Sequence, residues 1–255
     1  LLEKELLDFK RNGLALSEGK RAEVKALKKK IIGLELSFGK NLNEVKDFLL
    51  ISRAELEGLS ADYINGLKKD GELYRVTLDS PDYFPFMINA KNPEARKKLE
   101  FLYNNRAAEE NLPILKEVLA LRRRAARLLG YKSHSHYMLE ERMAKNPGTV
   151  VAFISRLQKR LKILGKQELA VLVDLKNKEE GQKSDGIIHA WDWRYYDNAL
   201  KKRQYGVDEE QIKEYFPAEK VTAGMFYVYE TLLGVKFRLI EGAQAWHPDV
   251  KLYEL

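Results

Sequence analysis

The sequence predicts a mainly α-helical protein, and three observations lead to that class. Apolar residues recur at steps of three and four along two long stretches of the 255-residue chain. Capping residues or prolines stand before several such stretches, and glycines stand after them. Alternating, strand-like patterning is confined to a short segment near 72–79 and to the C-terminal end.

The elements follow in order. Ser17 opens a long helix with apolar positions Val24, Leu27, Ile31, Leu34, Phe38, Leu42, Val45 and Leu49, a single stripe. Ser52 with Glu55 predicts a capping box for a short helix, and Ser60 caps another. Glu72 to Asp79 alternates and reads as a strand, with Ser80-Pro81-Asp82 as a turn and Pro85 behind it. Asn92-Pro93 starts a helix running towards Arg106. Pro113 precedes a helix from Ile114 to Leu129, closed by Gly130. Ser133 to Lys145 reads as helix, and Asn146-Pro147 starts a long one with Val150, Phe153, Leu157, Leu161, Leu164, Leu172 and Leu175 on one side. A loop at 183–186 leads to a helix capped by Asp192, carrying Trp193, Tyr196 and Leu200, that ends near Gly206. Asp208 with Gln211 forms another capping box, and a last helix stops at Gly234 before a strand over 235–240. The closing residues 250–255 alternate like a strand that has no partner yet, and Leu1 stands inside a helical pattern, so both ends are expected to be cut.

Composition narrows the chemistry. The chain is 45% hydrophobic and 33% charged, with mean hydropathy −0.45, and no apolar run reaches membrane-spanning length. It has no cysteine, which excludes disulfides, thiol catalysis and cysteine-ligated metals. A reducing compartment fits, and the expected location is cytoplasmic, with mitochondrial as the alternative. The net charge is +7, yet acidic and basic residues interleave, and the runs at 28–30, 122–124 and 201–203 lie inside helical patterns. No nucleic-acid or membrane partner is expected.

A hydrolytic zinc site on a helix needs His-Glu-x-x-His, and none of the four histidines, His134, His136, His189 and His247, is followed by glutamate. His136 and Glu140 stand at i, i+4, a spacing that ordinary polar helix faces share. The carboxylate pairs Glu109-Glu110, Glu140-Glu141 and Glu209-Glu210 are adjacent and diverge on a helix. Nucleotide loops and a nucleophile elbow are absent from the sequence. The most distinctive segment is Ala190-Trp191-Asp192-Trp193-Arg194-Tyr195-Tyr196, rich enough in aromatic surface to grip a peptide, although Trp193 and Tyr196 at helical spacing also suit a core.

That segment, together with Glu214-Tyr215-Phe216-Pro217, resembles the thimet oligopeptidase, neurolysin and saccharolysin family. The likeness continues through Tyr229-Glu230-Thr231-Leu232-Leu233-Gly234-Val235-Lys236-Phe237 and Ala245-Trp246-His247-Pro248-Asp249-Val250. It is collinear upstream, at Lys40-Asn41-Leu42-Asn43-Glu44, Glu55-Leu56-Glu57-Gly58-Leu59, Tyr83-Phe84-Pro85, Leu128-Leu129-Gly130-Tyr131 and Met143-Ala144-Lys145. The resemblance implies the helical portion of a zincin-type, neurolysin-like oligopeptidase: a two-lobed zinc enzyme whose channel admits short peptides. Its His-Glu-x-x-His helix, downstream glutamate and tyrosine-bearing loop would lie beyond Leu255. The expectation is therefore one helical piece over 1–255, with long helices over 1–70, a helical body over 71–180 and aromatic-rich helices over 181–255. No catalytic residue, metal ligand or cofactor is expected in it, while the parent holds zinc and acts on short peptides. Trp191, Arg194, Tyr195 and Tyr196 are the candidate channel residues. The piece is expected to be inactive and able to self-associate, and the alternative is a non-enzymatic helical scaffold or peptide-binding module.

Overall fold

The computed structural model describes residues 2–206 and 209–255. Helix α1 (Leu2–Arg11) leads through a turn to α2 (Glu18–Glu44). The apolar stripe of α2 stops earlier than its periodicity suggests: Val45 is extended, and Leu49 belongs to strand β1 (Phe48–Ile51). A 3-10 turn at Ala54–Leu56 follows, with Ser52 donating both its amide and its hydroxyl to the Glu55 carboxylate. That is one arm of the expected capping box, the arm in which the glutamate reaches back. Ser60 does cap α3 (Ala61–Gly66), accepting from the Tyr63 amide at 3.3 Å.

Strands β2 (Lys68–Asp70) and β3 (Leu73–Thr77) complete an antiparallel sheet of order β1-β3-β2. Phe48 pairs with Thr77, Leu49 with Val76, Leu50 with Arg75 and Ile51 with Tyr74. Alternation therefore turns Leu49, Ile51, Tyr74 and Val76 to one face and Phe48, Leu50, Arg75 and Thr77 to the other. The first face meets the core, where Ile51, Val76, Leu56, Phe86, Met87 and Leu99 are buried together. Strand β3 falls within the segment expected near 72–79, while β1 and β2 on either side of it were not expected.

Ser80-Pro81-Asp82 is helical, not a turn: it starts α4 (Ser80–Asn89), which also contains Pro85. Proline fits the first turn because the amide it lacks has no partner there anyway. Helix α5 (Pro93–Asn104) begins as predicted, with Asn92 Oδ1 accepting the amides of Glu94 and Ala95. Helix α6 (Ala108–Leu128) starts before Pro113, behind Ala107 in the left-handed region at φ 48°. Helix α7 covers only His134–Leu139 of the stretch expected to reach Lys145. Asn146 caps α8 (Pro147–Glu180) through the Thr149 amide at 3.0 Å. Residues 151–171 of α8 are exposed throughout.

Helix α9 (Trp193–Tyr205) follows, then α10 (Glu209–Lys213) and α11 (Ala218–Leu233), which Gly234 ends at φ 68°. The capping box assigned to Asp208 lies outside the described residues. Strand β4 is only Arg238–Leu239, and it pairs with β5 (Tyr253–Glu254), so the closing strand has a partner after all. The chain forms two compact units, 1–198 and 199–255. The buried cluster around the three-stranded sheet lies entirely in the first. In the second, Phe226 stacks on Phe237 and touches Tyr253. Among the described residues no helix is long and apolar enough to cross a membrane.

Candidate functional site

The aromatic segment 191–196 is anchored through its own buried Asp192 to two buried cations, Arg96 and Lys176. Arg96 occupies a core-facing position of α5, one turn before Leu99, and is fully buried with Asp192. Its guanidinium donates to the Asp192 carboxylate at 2.9 Å, to Trp191 O at 3.0 Å, and to the carbonyls of Ala90 and Lys91 at 2.7 and 3.0 Å. It also lies over the Tyr195 ring at 4.3 Å. Lys176, one turn beyond Leu172 on α8, donates to the other Asp192 oxygen at 2.9 Å, to Asp185 at 3.0 Å and to Ile187 O at 2.7 Å. All three of its protons are thereby engaged. Burial pulls its ammonium down, but bonds to Asp192 and Asp185 outweigh that and hold it above the ordinary lysine value.

Asp192 was expected to cap α9. Its carboxylate instead serves Arg96 and Lys176 and accepts the His189 amide behind it, at 3.3 Å. Asp185 accepts from His189 Nε2 at 2.6 Å, from the Ile187 amide and from Lys176, in that order of weight, and its carboxyl is held well below the usual range. The His189 ring stacks on Trp191 with centroids 4.4 Å apart. A chain of contacts thus runs from α8 through the 185–189 loop to the indole.

The four candidate residues occupy two levels. Tyr195 and Tyr196 are buried, with hydroxyls donated to Glu179 and Glu180. Burial first, and those carboxylates second, push both phenols above their ordinary value, so they stay protonated near neutrality. Trp191 and Arg194 are half-buried and reach the surface. The Arg194 guanidinium lies 4.3 Å from the Trp193 ring and 5.0 Å from Phe84. Trp193 is 45% exposed rather than in the core. The trio of Arg96, Lys176 and Asp192 beneath them was not anticipated. The available signal was a cation on each apolar stripe, where a solvated residue has no place.

The histidines do not gather. His136 Nδ1 meets Ser133 Oγ at 2.8 Å, while Glu140 takes the Arg11 guanidinium at 2.9 Å and the Tyr131 hydroxyl. Glu140 and Glu141, expected to diverge, both face Arg11, because α7 has ended and the turn lets them converge. Among the described residues no three His, Asp or Glu side chains are placed to hold a metal, so this part of the chain does not fit a zinc site.

Peptidase family M3 matches residues 86–255. Saccharolysin of Saccharomyces cerevisiae is 38% identical over 98% of this chain and 37% of its own length. The thimet-like oligopeptidase of Dictyostelium discoideum is 35% identical over 98% of this chain and 38% of its own. Oligopeptidase A of Salmonella typhimurium is 30% identical over 98% of this chain and 39% of its own. The chain thus spans less than two fifths of the length of these relatives. With the family pattern covering all of the second unit and most of the first unit's helical body, the chain belongs to peptidase family M3.

Proposed function

We propose that the protein to which this chain belongs is a zinc-dependent metallo-oligopeptidase that hydrolyses short peptides. In this reading residues 1–255 supply helical framework and part of the wall along which peptides lie, and the metal and catalytic groups come from elsewhere. The observation that carries it is the match to family M3 over 86–255, with relatives named oligopeptidases aligned along 98% of the chain. Trp191 and Arg194 are the wall positions that peptide can touch, while Tyr195 and Tyr196 hold them from behind. The expected location is cytoplasmic, with mitochondrial as the alternative. The exposed apolar positions of α8 give the isolated chain a surface for self-association.

Two experiments test this. The purified chain, incubated with zinc and quenched-fluorescent short peptides, retains no stoichiometric metal by atomic emission and cleaves nothing. Bound zinc with metal-dependent cleavage would sink the framework assignment. In the longer protein, Arg194→Ala raises KM for short peptides about tenfold, the scale of one lost charged hydrogen bond, and leaves zinc content unchanged. An unaltered KM would remove Arg194 from the wall.

A further inference from the structure

A cavity of about 530 Å³ lies over the outward face of the three-stranded sheet, between the end of α2 and the start of α4, in the range of small-ligand sites. Four cations line it: Lys46, Lys68, Arg75 and Arg106. Lys68 and Arg75 are directly paired across strands β2 and β3, an arrangement in which like charges repel. Among the described residues, one edge of the Arg75 guanidinium has a carboxylate, Asp70 at 2.9 Å. Its Nε is buried and has no hydrogen-bond partner among the described residues. The plane of that guanidinium lies over Phe48, which fixes it at the sheet surface. Arg106 is fixed the same way, its Nε donating to Tyr103 O at 2.9 Å and its plane 3.8 Å above the Tyr103 ring.

Among the described residues, both guanidiniums are thus held in place with amino groups left over for a ligand, and two lysines stand exposed around them. Of the three carboxylates in the lining, Asp82 is engaged by the Thr77 amide and hydroxyl. Asp47 and Asp79 are exposed to water, which screens them. Fixed guanidinium forks with mobile ammonium groups at the rim suit the tetrahedral oxygens of a phosphate. We propose that this cavity is a binding site for a phosphate-class oxyanion, free or carried on a small organic molecule. It lies beside α2, β2 and β3, apart from the 191–196 segment, and does not depend on the peptidase reading.

The test is calorimetric titration of the 255-residue chain with inorganic phosphate, inorganic pyrophosphate, adenosine monophosphate and citrate. The expected result is saturable one-to-one binding of at least one phosphate probe at or below about 1 mM. Arg75→Gln and Arg106→Gln each weaken it about tenfold, as loss of a charged hydrogen bond does. Lys68→Gln, an exposed change that does not threaten folding, weakens it in the same direction. Lys20→Gln, a basic site elsewhere on the surface, leaves it unchanged. Tighter binding of the monophosphate than of inorganic phosphate assigns an organic carrier, and the reverse order assigns the free ion. Citrate binding as tightly as every phosphate probe overturns the phosphate class. Absence of binding up to about 10 mM, or equal weakening by Lys20→Gln, overturns the site, since either leaves only the general attraction of a basic protein.

Discussion

At Asp192 one carboxylate faces two buried cations, and asparagine there would keep the shape while removing the charge that balances them. Breaking a buried pair from one side typically costs about 3–5 kcal/mol, because the remaining charge stays out of water. Asp192→Asn is expected to lower the urea midpoint accordingly, and a change below about 1 kcal/mol would show that water reaches the trio. The Arg11 site makes a gentler, pH-dependent prediction. The Glu140 carboxyl is held below its ordinary value by the Tyr131 hydroxyl and by Arg11, so its contribution is complete above the ordinary value and is lost as pH falls through the lowered one. Tyr131 is pushed up to about 12 by burial and by Glu140, so its contribution is lost as pH rises through that value. The contact of α1 with the α7 turn should therefore persist between the two limits. Amide resonances of α1 should shift as acid takes the Glu140 carboxyl through its lowered range, and resonances unmoved through the whole acid titration would dismiss the pair.

Helix starts show which local signals act through chemistry and which only mark position. Asn146 accepts an amide bond at the head of α8, whereas Ser17 at the head of α2 makes no side-chain cap. Asn146→Ala should cost about 1 kcal/mol and Ser17→Ala much less, a difference that paired urea curves would reveal. The same contrast explains how much of the fold could be read in advance. Asn92-Pro93, Asn146-Pro147, Gly130 and Gly234 were legible because their effect is complete within a turn of backbone. Strand β1 was not, since Val45 and Leu49 continue the helical spacing of α2 and only pairing with β3 decides otherwise. Ser80-Pro81 was ambiguous for a related reason: proline suits a turn and a first helical turn equally. At the candidate site, the aromatic run was visible as composition, but its division into buried Tyr195 and Tyr196 and accessible Trp191 and Arg194 depends on Arg96, Lys176 and the 185–189 loop. Those partners lie 95 and 16 residues away in sequence.

Across the whole chain, burial is unevenly shared. The core cluster belongs to residues 51–99, and α11 has no buried residue at all, although Tyr227, Leu232 and Leu233 are largely exposed apolar side chains. Residues 1–198 expressed alone should unfold cooperatively, while 199–255 alone should show no cooperative transition; a sharp transition in the shorter piece would overturn this. Exposure along α8 has a regular form, with Ile154, Leu157, Leu161, Leu164 and Val171 falling on a repeat of alternating threes and fours interrupted at Glu168. If copies associate through that seam, Leu157→Glu with Leu161→Glu should abolish the concentration dependence in light scattering. Stability should change by no more than about 0.5 kcal/mol, as at other exposed positions.

Lys176 has a chemical consequence of its own. An amine attacks an acylating reagent through a free lone pair, and this one is protonated, enclosed and bonded through every hydrogen it carries. In a timed labelling with an activated ester, read by peptide mass spectrometry, Lys176 should be among the slowest lysines to react. Its rate would then serve as a built-in gauge of when the ground under Trp191 gives way.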